Sequence, residues 1–164
     1  MVVAITKKEI VQVPDDVTVT IKSKVVTVKG TKGELIKSFR HCPVQIIPRS
    51  NEEGKVTAIE VRIWFAKNKP KSCVNTIKKL LNNMINGVTK GYVYVMKFGY
   101  KIFRMQPVAE NNGKDLKILK FLGDSCVRKI KAVEGCKISV SNDTTKKEIY
   151  VEGCDPAAIG QTCS

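Results

Sequence analysis

One stretch of this chain has the periodicity of a long helix, and short alternating segments lie on both sides of it. Between Asn68 and Gly87, apolar residues recur every three or four positions, which predicts an amphipathic α-helix. Asn68 suits the N-cap, and Gly87 suits the position just after the last turn. The apolar stripe consists of Cys73, Ile77, Leu80, Leu81, Met84 and Ile85. A single stripe of this length has to pack against β-structure or another helix.

The segments before the helix alternate apolar and polar residues, as half-buried strands do. Residues 17–21 and 26–28 follow this pattern on either side of a tight turn at Ser23 and Lys24. Three more strands are predicted at residues 34–40, at 44–47 between Pro43 and Pro48, and at 56–65. In the last of these, Ile59, Val61, Ile63 and Phe65 are expected on the inner face, and Glu60, Arg62 and Trp64 on the outer face. The first half therefore predicts an antiparallel sheet covered by one helix.

The second half contains the same kinds of element. Strands are predicted at residues 92–100, 102–106, 116–121, 126–132, 137–140 and 149–151. The string VTVTIKSKVVTVKG, ending at Gly30, matches KISVSNDTTKKEIYVEG, ending at Gly153, as strand, turn, strand and closing glycine. Asp155 and Pro156 suit the start of a last helix, which is too short to cover a sheet. We predict an α+β fold with internal duplication, in tandem domains at 1–87 and 88–164.

An aromatic strand follows the long helix directly. Five of the ten aromatic residues fall between Tyr92 and Phe103. One face of the predicted strand carries Tyr92, Tyr94, Met96, Phe98 and Tyr100. The cations beside it are Lys90, Lys97, Lys101 and Arg104. This pattern suits both an ordinary sheet core and an RNA-bound face, since strands are enriched in aromatic residues for packing reasons.

The charge is strongly unbalanced. The chain has 29 Lys and Arg against 15 Asp and Glu, a net charge of +14. Residues 87–131 are the densest basic segment, with 10 basic and 3 acidic residues. Such an excess repels itself in a compact fold unless a polyanion offsets it; nucleic acid is the usual one, and an anionic membrane the second. No apolar run approaches the ~18 residues of a membrane span, and the N-terminus lacks the pattern of a secretory signal.

Catalytic, cofactor and metal motifs are missing from the sequence. It contains no G-x-x-x-x-G-K-[ST], no G-x-S-x-G and no G-x-G-x-x-G. The single histidine, His41, stands beside Cys42, and none of the six cysteines forms a C-x-x-C pair. We therefore predict no enzyme activity, no cofactor and no metal site. The cysteines are expected to be free thiols in a reducing compartment.

Four strings that together span nearly the whole chain resemble the L-six family of large-subunit ribosomal proteins, usually called L-nine in eukaryotes. They are VPDDVTVTIKSKVVTVKGTKGEL, NTIKKLLNNMINGVTKGYVYVMK, KILKFLGDSCVRKIKAVEGCKISVS and EIYVEGCDP. The resemblance implies two tandem α+β domains that bind large-subunit rRNA near the sarcin–ricin loop and the stalk base, where translation factors dock. It also implies neighbouring ribosomal proteins, a cytosolic ribosome and nucleolar assembly. Family members continue with a longer last helix, so either the sequence is truncated or this version is shortened. We expect the gene product to extend past Ser164, or the second domain to be frayed.

The resemblance also directs attention to a basic run after FLGDSCV, where family members carry one too. A regular strand here would place Lys129 and Lys131 on one face and Arg128 on the other. Cations of this kind neutralise phosphates without reading sequence. The predicted RNA-binding set is Lys90, Lys97, Lys101, Arg104, Lys120, Arg128, Lys129 and Lys131. Lys78 and Lys79 on the long helix are expected to face solvent.

A different basic RNA-binding module is the alternative interpretation. The string KGYVYVMK at residues 90–97 partly fits the RNP1 pattern of RNA-recognition motifs. It departs from that pattern at Val93, where glycine or alanine is typical, and at Lys97, where an aromatic residue is typical.

Overall fold

The computed structural model describes residues 5–51, 54–99, 105–141 and 148–164. The chain divides into two compact units, Met1–Lys90 and Gly91–Ser164, here called the first and the second unit. In the described residues, each unit has two three-stranded antiparallel sheets and one α-helix, which confirms the α+β class. The division falls near the predicted boundary at residues 87 and 88. Neither α-helix in these ranges is both long and apolar enough to span a membrane.

The first unit contains six strands and the long helix. The strands are β1 Thr6–Gln12, β2 Thr18–Lys22, β3 Val25–Gly30, β4 Gly33–Ser38, β5 Gln45–Ser50 and β6 Val56–Trp64, and the helix is α1 Asn68–Thr89. The sheets have the orders β1-β6-β5 and β2-β3-β4. Ser23 and Lys24 both have positive φ, at 49° and 62°, which is the backbone of a tight hairpin turn. The predicted hairpin is therefore confirmed.

The predicted ends of the long helix are wrong. Gly87 lies inside α1 and is buried, and the helix continues to Thr89. Val88 explains the extension, because its side chain is 0% exposed and continues the buried stripe. At the other end, Lys67 occupies the N-cap position and makes no side-chain capping bond, so Asn68 is not the cap. Tertiary packing, rather than the capping preference of single residues, sets the length of this helix.

Two strand predictions in the first unit also need correction. Pro48 does not end its strand, since β5 runs through it and pairs it with Ile59. This is tolerated because β5 is an edge strand, where a missing N–H costs no ladder bond. Phe65 does not join the buried face of β6, because it has φ 47° and is 78% exposed. Glu60, expected on the outer face, is nearly buried and accepts hydrogen bonds from Arg49 Nε at 2.9 Å and Nη2 at 2.6 Å.

Lys78 does not simply face solvent as predicted. Its ammonium donates a hydrogen bond to Glu9 Oε2 at 2.8 Å and so joins α1 to β1. This contact holds the pKa of Glu9 below its ordinary value, first through the hydrogen bond and then through the attraction of the charge. Lys79, the next residue, is exposed as predicted.

The second unit contains six strands and a short helix in its described residues. The strands are β7 Tyr92–Lys97, β8 Gln106–Glu110, β9 Asp115–Leu119, β10 Arg128–Lys131, β11 Cys136–Val140 and β12 Glu148–Gly153, and the helix is α2 Pro156–Cys163. The sheets have the orders β10-β9-β8 and β11-β12-β7. Most of the strand predicted at 102–106 lies outside the described residues, as do Tyr100 and Phe103.

The short last helix begins as predicted. The carboxylate of Asp155 accepts the Ala157 N–H at 3.1 Å, and Pro156 occupies the first helical position. Although α2 has only eight residues, Ile159 is fully buried. The other sheet also contributes to this core, because Leu116 and Ile118 of β9 belong to the same buried cluster. The other members of this cluster are Ile138, Ile149, Val151 and Ile159.

The two closing glycines of the sequence repeat occupy similar places. A Cβ on Gly30, at the end of β3, would lie 2.8 Å from Cγ2 of Val88 in α1. A Cβ on Gly153, at the end of β12, would lie 3.0 Å from Cγ1 of Ile159 in α2. In both units, a glycine at the end of a hairpin strand lets the helix approach closely. This shared arrangement is consistent with an internal duplication.

Candidate nucleic-acid interface

The basic edge strand β10 carries the clearest cluster of predicted site residues. It pairs with β9 in a register that places Lys129 opposite Lys117 and Lys131 opposite Asp115. Lys129 and Lys131 are exposed, while Ile130 between them packs against the core of the second unit. The predicted alternation is therefore present. Across the described ranges, neither Lys129 nor Lys131 forms an ion pair.

Arg128 lies at the start of β10 against an aromatic ring. Its guanidinium carbon is 4.3 Å from the centroid of Phe121, a cation–π distance. Phe121 opens a 3₁₀ turn, Phe121–Gly123, and Lys120 just before it has the left-handed φ of 53°. This tight turn brings Phe121 and the neighbouring Lys120 to the end of the sheet where β10 begins. Lys120 and Arg128 are both exposed, so four predicted cations lie on β10 and this adjoining turn.

Lys117 belongs to the same face, although the sequence did not single it out. Its position between Leu116 and Ile118 showed that it points outward, but only the strand register shows that it lies opposite Lys129. Like charges directly opposite on neighbouring strands repel each other. Glu110 relieves part of this repulsion through an ion pair with Lys117 at 2.6 Å. A phosphate bound to the ammonium group of Lys129 would relieve the rest of the repulsion between Lys129 and Lys117.

The other predicted cations are placed elsewhere. Lys97 ends β7 in the other sheet, and its ammonium lies 3.0 Å from Oε1 of Glu148, which neutralises part of its charge. Lys90 belongs to the first unit, where it caps α1 and its carbonyl accepts a hydrogen bond from Lys32. Lys101 and Arg104 lie outside the described residues. The structure thus brings together four of the eight predicted residues.

The aromatic strand β7 packs partly as a sheet core. Tyr92, Met96 and Phe98 contact the buried cluster of the second unit, while Val93 and Val95 on the opposite face are about half exposed. This favours the packing interpretation for this strand. It also weakens the alternative module, because within the described residues β7 is the edge of a three-stranded sheet, whereas RNA-recognition motifs use a four-stranded one.

In the part of the chain that the structure describes, no three His, Cys, Asp or Glu residues are grouped as metal ligands. The six cysteines, which all lie in the described residues, form no disulfide. Burial raises the pKa of the Cys163 thiol, and the nearby Cys136 raises it further.

These features define a basic α+β protein of two similar units, with exposed cations clustered on and beside the edge strand β10. A family model described as Ribosomal protein L6 matches residues 13–91. Large ribosomal subunit protein uL6 of Tetrahymena thermophila is 34% identical over 154 residues, which cover 94% of this chain and 79% of the relative. The uL6 proteins of Candida albicans and Ignicoccus hospitalis are 35% and 34% identical, with 95% and 94% of this chain and 80% of each relative covered.

The chain belongs to the ribosomal protein L6 family, as the resemblance of its sequence motifs indicated. This is a family of structural, non-enzymatic proteins of the large ribosomal subunit.

Proposed function

We propose that this protein is a structural constituent of the large ribosomal subunit and that it binds large-subunit rRNA through the outer side of β10. The observation that carries the proposal is a pair of exposed lysines, Lys129 and Lys131, on the edge strand β10. Among the described residues neither ammonium group has an ion-pair partner, and Lys129 lies opposite a third lysine, Lys117. Because the chain belongs to a family of large-subunit ribosomal proteins, rRNA is the polyanion that we expect to bind these lysines. The protein acts as a scaffold and performs no catalytic step.

Binding of this kind works by phosphate neutralisation. Pairing with β9 fixes the backbone spacing of Lys129 and Lys131, so the two lysines present their charges from the same face of the strand to neighbouring phosphates. Arg128 and Lys120 extend the positive surface around the end of the sheet. Phosphate contacts position a protein on RNA but carry no sequence information. The site in the ribosome is then specified by the shape of the RNA and by neighbouring proteins.

The resemblance to the family supports a more detailed location. We place the protein near the sarcin–ricin loop and the stalk base, beside other large-subunit proteins and within reach of translation factors. In a eukaryotic cell the protein would work on cytosolic ribosomes after nucleolar assembly. No small-molecule substrate, membrane or cofactor takes part in this role.

A salt series of filter-binding measurements on a large-subunit rRNA fragment tests the proposal. The variant combines Arg128→Ala, Lys129→Ala and Lys131→Ala. Each phosphate contact that is lost lowers the slope of log affinity against log salt concentration by about one unit. We expect weaker binding and a slope lower by about two to three units. The loss is expected to be similar for unrelated RNA of the same fold, because phosphates carry no base information.

The matched control is a triple variant of the first unit with the same loss of charge. Lys22→Ala, Arg40→Ala and Lys79→Ala remove two lysines and one arginine, all exposed and without an ion pair in the described residues. Lys78 is unsuitable, because its loss would also break the contact with Glu9. If the control triple costs as much affinity and slope as the β10 triple, the assignment of the RNA contact to β10 is wrong.

A further inference from the structure

A second surface, in the first unit, has the character of a nucleic-acid contact without belonging to the basic strand. We propose that an exposed aromatic cleft at the end of β6 stacks an unpaired base of RNA. The cleft measures about 660 Å³ and opens to solvent. Its lining includes two aromatic residues and two lysines that could contact RNA, namely Trp64, Phe65, Lys67 and Lys69. The proposal rests on the proposed function, because it adds a base contact to a protein held on rRNA by phosphates.

The two aromatic side chains are exposed to a degree that packing does not explain. Trp64 is 48% exposed, and Phe65, its neighbour in the chain, is 78% exposed. Phe65 also has φ 47°, a left-handed conformation that bulky residues rarely adopt. Its N–H donates to the carbonyl of Ile5 at 2.8 Å, so the turn is held by the sheet. A strained backbone that presents a ring to solvent contributes little to the fold, and such outliers occur at binding sites.

The charges around the cleft select an anionic occupant. Lys67 and Lys69 are exposed and form no ion pair within the described ranges, and none of the residues lining the cleft is acidic. The guanidinium carbon of Arg62 lies 5.4 Å from the ring of Trp64, which adds a third cation beside the aromatic surface. Aromatic rings flanked by cations are the arrangement with which proteins hold single-stranded nucleic acid, since rings stack on bases and cations neutralise phosphates.

Other occupants fit less well. An apolar protein segment would have to bury the ammonium groups of Lys67 and Lys69 without partners, which is costly. A membrane surface favours a convex apolar face that enters the lipid boundary, whereas these rings line a concave cleft. A base in a perfect duplex is already stacked and paired, so the cleft suits a base that is unpaired or splayed out of a loop.

The fluorescence of Trp64 tests the inference directly, because it is the only tryptophan in the chain. We expect a single-stranded oligoadenylate to quench this fluorescence in a saturable and salt-dependent way. A perfect RNA duplex of equal length is expected to bind without comparable quenching. Phe65→Gly removes one ring while it relieves the left-handed strain, so it keeps the fold and lowers oligoadenylate affinity about tenfold. Phe65→Tyr keeps the ring and is expected to retain the affinity.

The control variant is Ile36→Ala, which removes an equally prominent apolar side chain, 66% exposed, from another part of the first unit. Its affinity for oligoadenylate is expected to equal that of the unmodified protein. The triple variant of β10 is expected to keep the quenching, so that a failure here and a failure of the proposed function are distinguishable. Equal quenching by duplex and single strand, quenching by anionic phosphatidylserine vesicles but not by RNA, or unchanged affinity in Phe65→Gly would each overturn the inference.

Discussion

Replacing Gly30 by alanine is expected to loosen the contact between β3 and α1. The added Cβ would lie 2.8 Å from both the carbonyl oxygen and Cγ2 of Val88, and 2.9 Å from its Cβ. The carbonyl belongs to the backbone of α1 and cannot rotate away as a side chain can. It is held in place by hydrogen bonds from the Lys32 N–H at 3.0 Å and from the Thr31 hydroxyl at 3.3 Å. The helix end must therefore shift away from the sheet.

The cost of this shift follows from two contributions. Overpacking by one methyl group in a tight contact costs about 1–3 kcal/mol. Lengthening the bond from Lys32 to the carbonyl of Val88 adds at most about 1 kcal/mol. We expect Gly30→Ala to lower the free energy of unfolding of the first unit by about 2 kcal/mol.

Urea unfolding followed by Trp64 fluorescence measures this effect, because that residue belongs to the first unit. For a denaturant slope of about 1 kcal/mol/M, the midpoint is expected to fall by about 2 M. The slope itself is expected to stay constant. A midpoint that is unchanged or higher would show that α1 does not approach β3 as closely as described, and the reasoning from the closing glycines would fail.

Three further predictions concern other parts of the chain. Gly160→Ala in α2 meets open space and is expected to stabilise the second unit by about 0.5–1 kcal/mol, measured by urea unfolding with circular dichroism. Alkylation near neutral pH is expected to modify the exposed Cys126 first and Cys163 last, because burial raises the pKa of the latter, as peptide mass spectrometry would show. Lys78→Ala is expected to destabilise the protein slightly above pH 4.5, the ordinary pKa of Glu9, where the ion pair is complete. That difference in unfolding free energy is expected to vanish as acid protonates Glu9 at its lowered pKa.

Local patterns predicted the elements whose structure depends on near neighbours. The hairpin turn at Ser23 and Lys24 and the start of α2 at Asp155 are confirmed. The helical stripe of α1 is confirmed in most positions, although Cys73 and Leu80 are only half-buried and the fully buried Val74 was not predicted. Each follows from periodicity or capping within a few residues. The alternation of Lys129 and Lys131 on β10 was predictable for the same reason.

The features that the sequence missed depend on partners far along the chain. The helix passes Gly87 because Val88 is buried beside β3, and β5 passes Pro48 because it happens to be an edge strand. The ion pair of Lys78 with Glu9 joins residues that are distant in sequence. In the candidate interface, the position of Lys117 opposite Lys129 is a matter of strand register, which no local pattern determines. These are the points at which tertiary structure overrides local preference.

The central claim is that this protein is held on large-subunit rRNA through β10. Cryo-electron microscopy of large ribosomal subunits that contain this chain is the most direct measurement. We predict density for the protein near the sarcin–ricin loop, with the ammonium groups of Lys129 and Lys131 within hydrogen-bonding distance of rRNA phosphates. A map in which β10 faces solvent, or in which purified large subunits lack the protein, would contradict the account.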